Sequence, residues 1–80
     1  MGEKFPQANY RDVTKVAKKL GFYFYKQAKG SHEIWRRPDG RYTTIPHHGS
    51  KSIKRKTLKG TLEDLQITPR EFIQLRKGKR

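Results

Sequence analysis

The amino-acid sequence predicts a small α+β domain in which helices cover one face of a three-stranded antiparallel sheet. Three observations predict this class. The N-terminal part has helical periodicity, the centre holds three strand-like segments separated by turn residues, and two helical segments follow near the C-terminus. The chain has 80 residues, so we expect a single domain over residues 1–80. The predicted order is α-β-β-β-α, with the last helical part broken in two.

The first helix is predicted over residues 9–20. Four apolar residues recur at helical spacing and form one face, namely Val13, Val16, Ala17 and Leu20. Asn9 has the side chain of a good N-cap, and Asp12 suits the positive end of the helix dipole. Gly21 suits the left-handed residue that ends a helix.

Three strands are predicted over residues 22–28, 31–37 and 41–45. The Pro38-Asp39-Gly40 stretch between the second and third is typical of a tight turn, and Pro46 ends the last strand. In the first strand we expect Phe22 and Phe24 to fill the core. Tyr23 and Tyr25, on the opposite side, either stack on unpaired bases or are ordinary exposed strand residues.

A basic loop is predicted over residues 47–56, followed by a helix over residues 58–65 that Thr57 caps. This helix has a leucine stripe made of Leu58, Leu62 and Leu65. The Thr68-Pro69-Arg70-Glu71 stretch predicts the start of a last helix, because it combines a cap, a proline at the first position and a glutamate three residues after the threonine.

Charge is the strongest feature of the composition. Twenty Lys and Arg against seven Asp and Glu give a formal net charge of +13. Such a charge attracts polyanions, first of all nucleic acid, with an acidic protein or an anionic membrane surface as alternatives. The chain has no cysteine, which excludes disulfides, thiolate zinc sites and cysteine nucleophiles. No apolar run is long enough to span a bilayer and the start has no signal-peptide core, so we expect a cytoplasmic protein.

Histidines are the candidates for catalysis. His32 follows Gly30-Ser31 and can act as acid or base near neutral pH. Two orientations stay open: His32 lies at the rim of the core if Ile34 points inward, and faces solvent if Trp35 does. His47 and His48 are adjacent, so on an extended strand they point opposite ways, and no cluster of other ligands accompanies them. We therefore expect no metal and no cofactor.

Several short motifs resemble the HicA family of toxin–antitoxin proteins. They are Lys19-Leu20-Gly21-Phe22, Lys29-Gly30-Ser31-His32, Pro38-Asp39-Gly40-Arg41, Ile45-Pro46-His47-His48 and Thr57-Leu58, with Ile67-Thr68 and Glu71-Phe72 downstream. The resemblance implies a fold like the double-stranded-RNA-binding domain. It also implies an mRNA interferase that cuts mRNA and is neutralised by an antitoxin of the HicB type. The family's catalytic histidine corresponds to His32, and the histidine of its Pro-x-His motif to His48. Gly60 within a helix and Gln66 in place of a helix-ending glycine depart from the family pattern.

The expected chemistry needs a base for the 2′-hydroxyl of RNA, an acid for the leaving oxygen and positive charge around the phosphorane. His32 provides one acid–base group; the second is His48, Tyr23, Tyr25 or a lysine. The candidate RNA-binding residues are Lys29, Ser31, Arg36, Arg37, Arg41, His48, Lys51, Lys54, Arg55 and Lys56. The basic loop is equally well explained as a solvated surface. The alternative function is a basic module that binds double-stranded RNA without cutting it.

Overall fold

The computed structural model describes residues 5–78 and confirms the predicted class. Within these residues, three helices and three strands follow one another as α1 (Tyr10–Lys19), β1 (Tyr23–Gln27), β2 (His32–Arg36), β3 (Tyr42–Pro46), α2 (Arg55–Leu65) and α3 (Pro69–Lys77). The described residues share one apolar core. Its buried members are Ala8, Val13, Val16, Ala17, Phe22, Trp35, Ile45, Ile53, Leu58, Leu62, Leu65 and Phe72. Residues 1–4 and 79–80 lie outside the described part, so the single domain over residues 1–80 stays a prediction.

Helix α1 begins and ends as predicted. The side chain of Asn9 accepts a hydrogen bond from the Asp12 amide at 3.0 Å, and the Asp12 carboxylate accepts one from the Asn9 amide at 3.2 Å. This reciprocal capping box satisfies two of the amides that a helix start leaves unpaired. Gly21, at φ +93°, takes the left-handed conformation just after the helix.

The sheet is antiparallel with the order β1-β2-β3. Glu33, Trp35, Thr43 and Ile45 point toward the helices and are buried. The opposite side is the open face, whose members are Tyr23, Tyr25, Lys26, His32, Ile34, Arg36, Tyr42 and Thr44. A β-bulge lies at Tyr25, between the pairs that Phe24 and Lys26 form with β2.

Phe24 corrects one core prediction. Its ring is 49 % exposed, although it meets Trp35 edge-on at a centroid distance of 6.3 Å. β1 is an edge strand of the sheet, and among the described residues no helix packs closely against it, whereas α1 and α2 both pack against the other edge strand, β3. Phe22, just before the strand, is buried as predicted.

Helix α2 begins two residues before the predicted cap. Lys54 occupies the N-cap position without a side-chain hydrogen bond, and Thr57 lies inside the first turn instead of capping it. The start is fixed by tertiary contacts: the Ile53 amide donates to the Ala8 carbonyl at 2.7 Å, and Ile53 is buried. Arg55 and Lys56, predicted in the loop, therefore belong to the helix. The leucine stripe faces the core as predicted.

The break between α2 and α3 lies at Gln66, which has φ +61° and ψ +44°. Helix α3 then starts with the predicted capping box of Thr68 and Glu71. Its C-terminal carbonyls receive the Lys19 ammonium, which donates to Leu75 and Gly78 at 2.7 and 2.8 Å. A cation is favourable there because the carbonyl end of a helix is negative. None of these helices, all within residues 5–78, is long and apolar enough to cross a membrane.

Candidate functional site

His32 is the first residue of β2 and its side chain is exposed on the open face. The preceding turn is closed by two backbone hydrogen bonds, from Ala28 to the His32 carbonyl at 2.8 Å and from His32 to the Lys29 carbonyl at 3.3 Å. Because Trp35 points inward, the solvent-facing orientation of His32 is the one that the structure shows. Gly30 has a φ of +64°, a left-handed conformation that glycine adopts easily, and this is its contribution to the turn. A Cβ at this position would meet no atom within 4 Å, so the glycine is not needed to make room for a neighbouring group.

The exposed His32 lines an open cleft of about 420 Å³ at one end of the sheet. We call it the His32 cleft; its lining residues are His32, Pro46, His48, Lys51, Ser52, Ile53, Lys54 and Thr57. These residues come from β2, the end of β3, the following loop and the first turn of α2. Two histidines that lie far apart in sequence thus meet with two lysines around one cavity.

The loop that follows β3 is held in place at both ends. The His47 amide donates to the Ser31 carbonyl at 2.8 Å, and the Ser31 hydroxyl lies 3.5 Å from His48 Nδ1. At the other end, Ser52 forms a β-bridge with Asn9 beside the Ile53 hydrogen bond to Ala8. His48 is therefore presented to the cleft by anchored backbone, with Ser31 as its polar neighbour.

The cleft is electropositive. Lys51 and Lys54 line it, and no acidic residue among positions 5–78 does. The start of α2 also faces it through Lys54 and Thr57, and this helix has neither a side-chain cap nor an acidic residue in its first turn. The amides of a helix start carry a partial positive charge that favours an anion. The arrangement suits a phosphate group held between lysines, helix amides and two histidines.

Three of the predicted RNA-binding residues lie away from this cleft. Arg36 is the last residue of β2, about 13 Å from His32 along an extended strand. Arg37 and Arg41 flank the turn between β2 and β3, where Arg41 donates to the Asp39 carboxylate at 3.2 Å. The pKa of Asp39 is lowered, first by the hydrogen bond from the Arg41 backbone amide and further by the two guanidinium groups.

Three of the other predicted RNA-binding residues, His48, Lys51 and Lys54, line the cleft, and the remaining four do not. Ser31 contacts His48, and Lys29 belongs to the turn before His32. The guanidinium of Arg55 lies 5.0 Å from the centre of the Phe5 ring, on another side of the α2 start. Lys56 is exposed and does not line the cleft. The part that each of these residues plays toward RNA stays a prediction.

A buried carboxylate that the sequence did not reveal lies behind the cleft. Glu33 is 6 % exposed, and its Oε1 accepts hydrogen bonds from the Tyr10 hydroxyl at 2.8 Å and from Trp35 Nε1 at 3.0 Å. Its Oε2 lies 3.2 Å from His47 Nδ1, and the His47 ring stacks on Tyr10 at 3.8 Å. Burial, followed by the hydrogen bond and the charge of Glu33, raises the pKa of Tyr10 to about 12.

The contacts of Glu33 with Tyr10, Trp35 and His47 also show that the two adjacent histidines have different surroundings. His47 contacts Glu33 toward the core, whereas His48 contacts Ser31 at the cleft. Across residues 5–78, no group of three or more His, Asp or Glu side chains is placed to hold a metal ion. Nothing in the sequence marked Glu33 as inward-pointing, because an acidic residue in a strand is ordinarily a surface residue.

The chain was compared with known proteins at the level of sequence. A comparison with curated proteins gives no match. The family model described as the HicA toxin of bacterial toxin–antitoxin systems matches residues 10–67, from the first residue of α1 to just beyond α2. The match covers most of the chain and includes both the Gly-Ser-His and the Pro-x-His segments. The chain belongs to the HicA family of toxins from bacterial toxin–antitoxin systems.

Proposed function

We propose that this toxin is a metal-independent endoribonuclease that cuts mRNA in the cytoplasm and so blocks translation. The observation that carries the proposal is the His32 cleft, where two histidines, two lysines and a helix start surround a space that has room for a phosphate group and that no acidic residue of the described chain lines. Fold alone does not decide function, so the proposal rests on these groups and on the family.

The proposed reaction uses the nucleophile that RNA already contains. The 2′-oxygen attacks the neighbouring phosphorus while a base removes its proton, and the bond from phosphorus to the 5′-oxygen breaks while an acid protonates that oxygen. The products are a 2′,3′-cyclic phosphate and a 5′-hydroxyl, so atoms and charges balance without water or metal. Lys51 and Lys54 would stabilise the charge that collects on the phosphorane oxygens.

His48 is our choice for the second acid–base group. It lines the same cleft as His32, whereas Tyr23 and Tyr25 lie on β1, on the far side of β2 from the β3 end of the cleft. A histidine also titrates nearer neutral pH than a tyrosine or a lysine, which favours proton transfer in either direction. Ser31, at 3.5 Å from His48 Nδ1, would orient the ring.

The test is a cleavage assay with purified protein, end-labelled single-stranded RNA and EDTA. We expect the native chain to cut and to leave 2′,3′-cyclic ends, and His32→Ala and His48→Ala each to lose about 100-fold or more in rate. His47→Ala is the matched control, because it removes the neighbouring histidine that contacts Glu33 instead of lining the cleft. Circular dichroism would check that each variant is folded at the assay temperature.

Three results would contradict the proposal. Binding without cleavage by the native chain would indicate a non-catalytic RNA-binding module, most simply one for double-stranded RNA. Cleavage that survives His32→Ala would indicate another site. Cleavage that stops in EDTA would indicate a metal-dependent enzyme.

The partner that we propose is an antitoxin of the HicB type that covers the His32 cleft or the basic surface beside it. One surface holds both the charge and the chemistry, so a single acidic partner would block both. A complex in which cleavage persists at saturating antitoxin would refute this arrangement.

A further inference from the structure

The open face of the sheet carries three exposed tyrosines that the cleft does not use. Tyr23, Tyr25 and Tyr42 are 45, 48 and 63 % exposed, so each ring is accessible to a ligand. They are not scattered: Tyr23 and Tyr42 both pair with Arg36, one from each neighbouring strand. The Arg36 guanidinium also lies 4.8 Å from the centre of the Tyr25 ring.

The β-bulge in β1 increases the number of side chains on this face. Phe24 pairs with Trp35 and Lys26 pairs with Ile34, so Tyr25 is the extra residue between them. A bulge places two residues opposite one, and here both Tyr25 and Lys26 belong to the open face. Without the bulge, regular alternation would turn Lys26 to the other side of the sheet.

The face is continuous with the His32 cleft. Along β2 the open-face residues are Arg36, Ile34 and His32, and the distance from the first to the last is about 13 Å. That length corresponds to about four stacked nucleotides of one strand. An RNA chain with one phosphate beside His32 is therefore long enough, within about four nucleotides, to bring its bases to Tyr23, Tyr25 and Tyr42.

The side chains of the open face indicate what kind of ligand it binds. Its charged groups are the cations Lys26 and Arg36, and its members within the described chain include no Asp or Glu. Exposed aromatic rings beside cations bind unpaired bases by stacking and phosphates by charge. Paired bases of a duplex do not offer their faces for stacking. A second copy of the chain would present the same cationic face, since a two-fold interface uses the same patch on both subunits, and the two faces would repel each other.

We propose that the open face is a stacking platform for unpaired RNA, which makes the toxin selective for single-stranded stretches beside the scissile phosphate. The inference rests on the proposed function for the position of that phosphate, but it concerns binding. In this arrangement the bases of the RNA stack on Tyr23, Tyr25 and Tyr42. Arg36, which lies among these rings, contacts the RNA backbone. The RNA then continues along β2 to His32.

The test measures binding with RNA that cannot be cut, so it does not depend on catalysis. A fluorescent single-stranded RNA with 2′-O-methyl groups throughout is titrated with protein, and a hairpin duplex of the same composition serves as the second probe. We expect Tyr23→Ala and Tyr42→Ala each to weaken single-strand binding about 5- to 150-fold. Binding of the duplex should change by less than twofold.

Two control variants separate stacking from other effects. Tyr23→Phe keeps the ring and should bind like the native chain. Phe24→Ala removes an equally exposed ring from the adjacent position on the opposite side of β1 and should leave single-strand binding unchanged.

The proposal is overturned if the tyrosine variants bind the single strand as tightly as Phe24→Ala does, or if single strand and duplex weaken alike. It is also overturned if these variants lose antitoxin binding and keep RNA binding, since the face is then a protein interface. If the native chain fails to cut ordinary RNA while single-strand binding still depends on the tyrosines, the platform is supported and the proposed ribonuclease activity fails.

Discussion

Removal of the Glu33 carboxylate gives the sharpest test of how the interior is organised. In Glu33→Ala, three donors lose their acceptor: the Tyr10 hydroxyl, Trp35 Nε1 and the His47 ring. Trp35 is only 3 % exposed, so its N–H stays buried without a partner and costs about 1–3 kcal/mol. Tyr10 and His47 are less buried and can bond to water instead, at about 0.5 kcal/mol each. The expected loss is therefore about 2–4 kcal/mol.

The assay is thermal and urea unfolding followed by circular dichroism. For a domain of this size, 1 kcal/mol shifts the melting temperature by about 4–8 °C, so Glu33→Ala should melt about 8–32 °C below the native chain. A domain of this length has a total stability of about 4–12 kcal/mol, so the variant should still fold at low temperature.

Two further variants isolate the cause. Glu63→Ala makes the same charge change at an exposed position of α2 and should shift the free energy of unfolding by less than about 0.5 kcal/mol. Glu33→Gln keeps an oxygen that accepts from Tyr10 and Trp35, and we expect a loss of about 1 kcal/mol. If Glu33→Ala is as stable as Glu63→Ala, the buried cluster contributes nothing and the reasoning is refuted.

Three other predictions concern the backbone and pH. Gln66→Gly should stabilise the chain by about 0.5–1 kcal/mol in urea unfolding, because glycine takes φ +61° without strain; a loss of stability would contradict this. Gly60→Ala should add about 1 kcal/mol, since a Cβ at this helical position meets nothing within 4 Å; an unchanged urea midpoint would count against it. Tyr10 ionises in the unfolded chain near pH 10.0 and in the folded chain near pH 12, so its stabilising contribution is present below pH 10.0 and lost as the pH rises toward 12. Tyr10→Phe should lack this step in a pH series of unfolding curves, and an identical pH dependence in both chains would exclude the assignment.

Elements fixed by local chemistry were predictable from the sequence. Asn9 with Asp12 and Thr68 with Glu71 form their capping boxes within four residues of chain, so the starts of α1 and α3 follow from the sequence. The start of α2 has no such signal. It is set by the contact of Ile53 with Ala8, two residues that are far apart in the sequence.

In the candidate site, too, local motifs were predictable from the sequence, whereas features that depend on distant contacts were not. The His32 and His48 motifs were recognisable, but only the structure shows that they line one cleft. The orientation of β2 was ambiguous, because alternation places either Ile34 or Trp35 inside and does not say which. The answer depends on Glu33, whose burial is possible only because Tyr10, Trp35 and His47 all point at it. The bulge at Tyr25 likewise comes from pairing across strands and leaves no mark in the sequence.

The positions of the acidic residues explain how a chain with a net charge of +13 both folds and exposes a surface for an anion. Most of its seven acidic side chains are engaged in structural contacts. Asp12 and Glu71 cap helices, Asp39 fixes a turn, Asp64 accepts a hydrogen bond from the Thr43 hydroxyl at 2.8 Å, and Glu33 anchors the interior. None of these five lies on the open face or lines the His32 cleft. The cations of the open face and of the His32 cleft therefore have none of these five carboxylates beside them. A bound RNA or an acidic antitoxin would supply the negative charge that neutralises them.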